Sequence, residues 1–175
     1  MSKKYARDYR LSDTVDERGR IRTETEYVGG AYGYADRDAP KTLKKLTLLS
    51  AIAWGLTLLP LFPPSTAGLS IWVMLPWIFL LIPLWRLSSG LWSLRGAGET
   101  LQHRHADLAN ERPEACGAGF AILAGLSLIG EIVALLLPGA KVHPGDLLFL
   151  ICAGALVACG ILCRRLGKGL RAEKT

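Results

Sequence analysis

One acidic side chain stands well inside an otherwise apolar run: Glu131, four residues after Ser127 in the stretch 115–137. A carboxylate at the middle of a membrane helix costs a few kcal/mol to insert, so it faces protein or water and commonly lies on an ion, proton or substrate path. Lys141 and His143 just beyond the run could supply a counter-charge. The plainer reading is that Glu131 hydrogen-bonds a neighbour such as Ser127, Thr57 or Ser70. A second pattern is Glu99, His103, Asp107 and Glu111, recurring every four residues. On a helix this sets an imidazole between carboxylates on one face, an arrangement that can hold a divalent metal. The same spacing is an ordinary charge ladder on a solvated face, so no metal is assigned to it.

Other reactive residue types lack the company that chemistry requires. Cys116, Cys152, Cys159 and Cys163 show neither a CxxC nor a Cys/His zinc spacing and read as small packing residues. Cys116 and Cys163 fall near the expected cytoplasmic face, where disulfides do not persist. The segment Gly125-Leu126-Ser127-Leu128-Ile129-Gly130 is not a nucleophile elbow, and no histidine in an apolar segment is available to activate Ser127. Gly117-Ala118-Gly119 follows no strand and is no dinucleotide fingerprint. The sequence thus leads us to expect no enzyme, cofactor or metal site.

The elements that must position Glu131 follow from the segregation of charge. The chain has 175 residues, 50% of them hydrophobic and 21% charged, yet residues 46–85 contain no Asp, Glu, Lys or Arg over 40 positions. Uninterrupted apolar runs of about 18 residues or more are the mark of membrane spans, which excludes a soluble globular enzyme, a disulfide-stapled module and a disordered tail protein. Four segments qualify: 46–62, 69–85, 115–137 and 147–163. Three of these are 17 residues long. At about 1.5 Å per residue that covers about 25 Å of a ~30 Å core, and flanking residues supply the missing turn. Pro60, Pro63, Pro64 and Gly68 separate the first two segments, and Pro138, Gly139, Pro144 and Gly145 the last two. The expected fold is an all-α membrane protein, a four-helix bundle of two hairpins.

The small residues of the second hairpin form stripes. Gly117, Ala121, Ala124, Ser127, Glu131 and Ala134 follow at helical spacing, as do Cys152, Ala155, Cys159 and Cys163. Such stripes let membrane helices approach closely and predict a packing seam. Arg86-Leu87 against Arg165-Leu166, and Leu58-Leu59-Pro60 against Leu136-Leu137-Pro138, recur at offsets of 79 and 78 residues. A duplicated hairpin and chance similarity of Leu-rich segments both account for this; a true duplication would give parallel repeats.

Outside the spans, Ile21, Thr23, Thr25 and Tyr27 alternate with charged residues, and Asp16-Glu17-Arg18-Gly19 suits a turn. A β-hairpin pairing 11–15 with 21–28 is expected there. Leu87, Leu91, Leu94, Leu101 and Leu108 suggest that the second span continues into an amphipathic helix, broken near Gly96–Gly98, against which the hairpin rests. The expected organisation is 1–42 as a cytoplasmic segment, 43–87 as hairpin one, 88–114 as a cytoplasmic loop, 115–166 as hairpin two and 167–175 as a basic tail.

Two functions compete. One is a non-enzymatic membrane-embedded interaction or assembly subunit; the other is a small oligomeric transporter or channel using Glu131. The expected partners are the lipid bilayer and either further copies of the chain or another membrane protein. The net charge of +6 is explained by topology and gives no reason to expect nucleic acid. Of the 21 Lys and Arg, only Lys141 lies in a connection within either hairpin. The positive-inside rule then puts both termini and the central loop in the cytoplasm, with the chain in a plasma membrane, the inner membrane of a bacterium. In a background lacking the four native cysteines, a cysteine placed at Thr66 or Val142 should react with an impermeant thiol reagent from outside, and one at Tyr5 or Ala172 should not. The reverse pattern would overturn the topology.

Overall fold

The computed structural model describes residues 7–15, 21–65, 70–97, 101–138 and 142–174. The expected turn at Gly19, Glu99 of the four-residue ladder, Gly68, Gly98, Gly139 and Lys141 lie outside these residues. The chain is mostly helical. In order it forms β1 (Tyr9–Val15), β2 (Ile21–Tyr27), β3 (Tyr32–Tyr34), α1 (Ala39–Leu58), α2 (Ile71–Phe79), α3 (Leu81–Gly96), α4 (His103–Leu136), α5 (Pro144–Gly167) and β4 (Ala172–Lys174). Among the described residues, four helical stretches are long and apolar enough to cross a membrane: Ala39–Leu61, Ile71–Gly96, His103–Leu136 and Pro144–Leu170. The chain is therefore built as a multi-pass membrane protein.

Proline sets the punctuation of the helices. Pro40 occupies the first turn of α1, where its missing N–H costs nothing. Pro60 lies in a short 3-10 turn at Leu59–Leu61 that closes the same helix. The second span is divided at Leu80, which the charge-free run did not announce. Pro83 has no N–H to give to the carbonyl of Phe79, and its ring crowds that carbonyl, so α2 stops there. The Leu80 N–H bonds to Pro76 O at 3.1 Å and Trp77 O at 3.2 Å, so the donor at the break is satisfied. Pro113, by contrast, is carried inside a continuous 34-residue helix, so the amphipathic segment and the third span are one element. Its ring rests where Gly167 offers no side chain: a Cβ on Gly167 would come within 2.8 Å of Pro113 Cβ.

The strand pair expected near the N-terminus is present. β1 and β2 are antiparallel, with Tyr9 opposite Tyr27 and Val15 opposite Ile21. A second ribbon joins the segment just before α1 to the segment after α5, because β3 pairs antiparallel with β4, Tyr32 opposite Lys174 and Tyr34 opposite Ala172. Asn110 of α4 holds β4 from beneath by receiving the Ala172 N–H at 2.8 Å and donating to the Ala172 carbonyl at 3.2 Å. The leucine patch of the central loop is thus covered by β3–β4. Leu94, Leu101 and Leu108 are buried with Ala172, and Tyr32, Tyr34 and Leu43 pack on them.

The larger core runs the length of the bundle. Leu46, Leu84, Leu87, Phe120, Phe149 and Leu156 are among its fully enclosed side chains. Tyr34 and Leu43 touch both clusters and tie the capped end to the bundle. Burial of Tyr34 pushes its phenol above the ordinary tyrosine range. The outward faces carry Phe62, Trp72, Ile122, Leu136 and Leu147, all exposed, which is the surface a bilayer would cover.

Candidate functional site

α4 supplies the intramembrane polar site, and its spacing explains why. Ala124, Ser127 and Glu131 fall on one stripe, and all three have 0% exposure. Opposite them lies α2: Ser127 Oγ donates to Val73 O at 3.2 Å, and Gly130 leaves room for Val73, whose Cγ2 would be 3.2 Å from an added Cβ. Thr57 Oγ1 donates to Ala53 O at 2.7 Å, while its own carbonyl receives Trp77 Nε1 at 3.1 Å. The hydroxyl protons of Ser127 and Thr57 therefore go to main-chain carbonyls. Trp77 and Phe149, with ring centroids 4.5 Å apart, wall the same half of the bundle.

A second buried carboxylate was not anticipated. Asp146 is 1% exposed, in the first turn of α5. Its Oδ2 accepts the His143 N–H at 2.7 Å, one half of a reciprocal cap that closes the helix start. Gly145 lets this turn sit against the Pro64 carbonyl of the opposite hairpin. The sequence signal was the acid three residues after His143. Asp146 precedes the apolar segment 147–163, so composition alone does not mark it as buried.

The structure places the residues of the expected seam as follows. Gly117, Ala124, Cys152 and Cys159 are buried, whereas Ala121, Ala134 and Ala155 are only half-buried. The buried line on α5 runs through Cys152, Ala153, Leu156, Cys159, Gly160, Cys163 and Gly167. Gly160 is the contact that the stripe missed. A Cβ there would lie 2.7 Å from Gly117 O and from Ala121 N, and one on Gly117 would lie 2.7 Å from Gly160 O and Arg164 N. The heptad of small residues Ala153, Gly160 and Gly167 was the legible signal. All four cysteines are free and buried along these helices.

The His103 ladder serves the capped end. His103 Nδ1 lies 2.9 Å from Asp8 Oδ2, its ring stacks on Tyr32 at 5.5 Å, and Asp107 Oδ1 is 3.9 Å from Nε2. The His103 N–H donates to Tyr27 Oη at 2.9 Å, and Tyr9 Oη to Gln102 Oε1 at 3.0 Å. These bonds hold the open end of β1–β2 on the start of α4. Among the described residues no group of three His, Cys, Asp or Glu could hold a metal ion.

The chain matches no protein-family model, no curated protein and no solved structure.

The glycine seam makes a sharp comparison. Gly160→Leu should force α4 from α5 and lower stability by about 3 kcal/mol or prevent folding, as strong overpacking does. Gly154→Leu, on the same helix with nothing within 4 Å of an added Cβ, should be tolerated. Thermal unfolding of the two purified variants in detergent checks this; equal loss would mean that the seam is not what holds the hairpin.

Proposed function

We propose that the chain is a non-enzymatic, membrane-embedded interaction subunit that presents β1–β2 to a partner protein on the cytoplasmic side. The carrying observation is a ribbon of two seven-residue strands to which no third strand is added among the described residues. Its open end is fixed to α4 through Asp8, Tyr9 and Tyr27. An isolated two-stranded ribbon is marginal in water, and its outer edges present unpaired N–H and C=O groups. A partner that adds a strand satisfies those groups, a common mode of peptide and protein recognition. The cytoplasmic placement is drawn from the charge distribution, with Lys141 the sole Lys or Arg in a hairpin connection. A plasma membrane, the bacterial inner membrane, is the setting this implies.

A photoreactive amino acid at Ser12 or Glu24, which face each other in the ribbon, should give one heterologous adduct in stoichiometric yield. The adduct should disappear when Thr25→Pro removes an N–H from the outer edge of β2, where the alternation set by Val28 N–H on Asp8 O directs it, and a probe at exposed Trp72 should not give it. Adducts only to a second copy of the chain, or adducts that survive Thr25→Pro, would overturn this reading.

A second reading, an oligomeric transporter or channel, draws on the complete burial of Glu131 and Ser127. Here Glu131→Gln should assemble normally and lose function, because only the ionisable group has been removed. A fully active Glu131→Gln, with only Glu131→Leu failing to assemble, would make the carboxyl structural and remove the residue on which transport depends.

A further inference from the structure

A groove between α3 and α4 opens at the level where the helices leave the apolar zone. Its cavity is about 460 Å³. One end is apolar, formed by Phe79, Ile82 and Leu123; the other carries Arg86, Arg112, Glu111 and Asp107. Trp85 and Trp92, on either side of Arg86 in α3, are both strongly exposed, as aromatic residues at a membrane–water boundary are. The charged end therefore lies at headgroup depth.

The charges are arranged unusually. Two cations and two anions line one cavity, yet among the described residues no ion pair joins either arginine to either acid. Arg112 is held apart from them because its Nη1 donates across to α3, to Arg86 O at 3.2 Å and Ser89 Oγ at 3.3 Å. That pinning leaves Nε and Nη2 as further donors. Asp107 Oδ1 keeps a long 3.9 Å approach to His103. Along α4 the order is apolar residues, then Arg112, then Glu111, then Asp107. At about 1.5 Å per residue, Asp107 stands about 7.5 Å farther from the apolar zone than Arg112.

We propose that this groove is a headgroup site for an aminophospholipid, with the phosphate on Arg86 and Arg112 and the primary ammonium on Glu111 and Asp107. The charge order matches such a lipid, whose acyl chains come first, then phosphate, then ammonium. A purely anionic headgroup would bring its charge against the two acids. A choline headgroup has no N–H to donate to Glu111, so it forfeits the charge-assisted hydrogen bond. Basic pockets between membrane helices are established lipid sites, and here the acids refine the choice. The inference needs only membrane-crossing helices and is independent of any partner at β1–β2.

The test is lipid retention by the full-length chain, purified from vesicles with equal amounts of phosphatidylethanolamine, phosphatidylcholine and phosphatidylglycerol and read by native mass spectrometry. Phosphatidylethanolamine should be retained about tenfold over each of the others, the discrimination expected of a charge-assisted contact. Glu111→Gln should bring phosphatidylethanolamine and phosphatidylglycerol to near parity. Arg86→Gln should reduce retention of both. Both side chains are exposed and form no hydrogen bond or ion pair among the described residues, so an unchanged unfolding midpoint is expected in each. Equal retention of phosphatidylethanolamine and phosphatidylcholine, a preference for phosphatidylglycerol in the unaltered chain, or an unchanged ratio in Glu111→Gln would each overturn the proposal.

Discussion

The backbones of α4 and α5 meet where Gly117 and Gly160 carry no side chains, and the rest of the molecule is arranged around that contact. Within a bilayer there is little hydrophobic gain in bringing helices together, since lipid tails are as apolar as leucine. Close packing has to supply the attraction, and two glycines facing each other supply it by removing the atoms that would hold the helices apart. Gly167 extends the same contact past the apolar zone by receiving Pro113. α4 is thereby tied to α5 over most of the length of α5, and the remaining helices pack on this pair.

Because α4 continues beyond the apolar zone, the seam also determines what stands at the capped end. Its first turns carry Gln102 at the cap and His103, which hold β1–β2, and Asn110, which holds β4. The end of α5 delivers β4 to β3, so these two strands close over Leu94, Leu101 and Leu108. This small apolar patch is covered by Tyr32 and Tyr34 of β3, Ala172 of β4 and Leu43 of α1. The ribbon β1–β2 then projects from a base that is itself held by the bundle.

What the sequence made legible was what depends on local composition. Residues 46–85 have no charge, so spans had to be there, and the prolines between Pro60 and Pro64 closed the first hairpin. The alternation from Ile21 to Tyr27 located β2 because a strand's period of two is a local property. Features that need distant partners were not legible. Tyr32 pairs with Lys174, and no local signal in either segment names the other. Pro113 reads as a boundary until the space above Gly167 is known. Ala155 was placed on the seam because its spacing fits, but Gly160 makes the contact, and the rotation of a helix depends on what packs beside it. The break at Leu80 was legible in principle: Pro83 lies four residues after Phe79, and an uncharged run drew attention away from it.

The two ends of the bundle treat charge in opposite ways, and the difference follows from the length of chain available to each. At the end reached by residues 59–65 and 142–146 the connections are short, so a carboxylate such as Asp146 is satisfied by its own helix cap. Glu131, inside α4, is closed off entirely. At the other end, the long start of α4 and the continuation of α3 spread Arg86, Arg112, Glu111 and Asp107 around an open groove. Charges at that depth cost little while water or headgroups can reach them, so they need not pair with one another. Deep carboxylates have no such freedom and must be accommodated by the fold itself, so Glu131 and Asp146 are enclosed while the mixed-charge groove lies where the bundle opens.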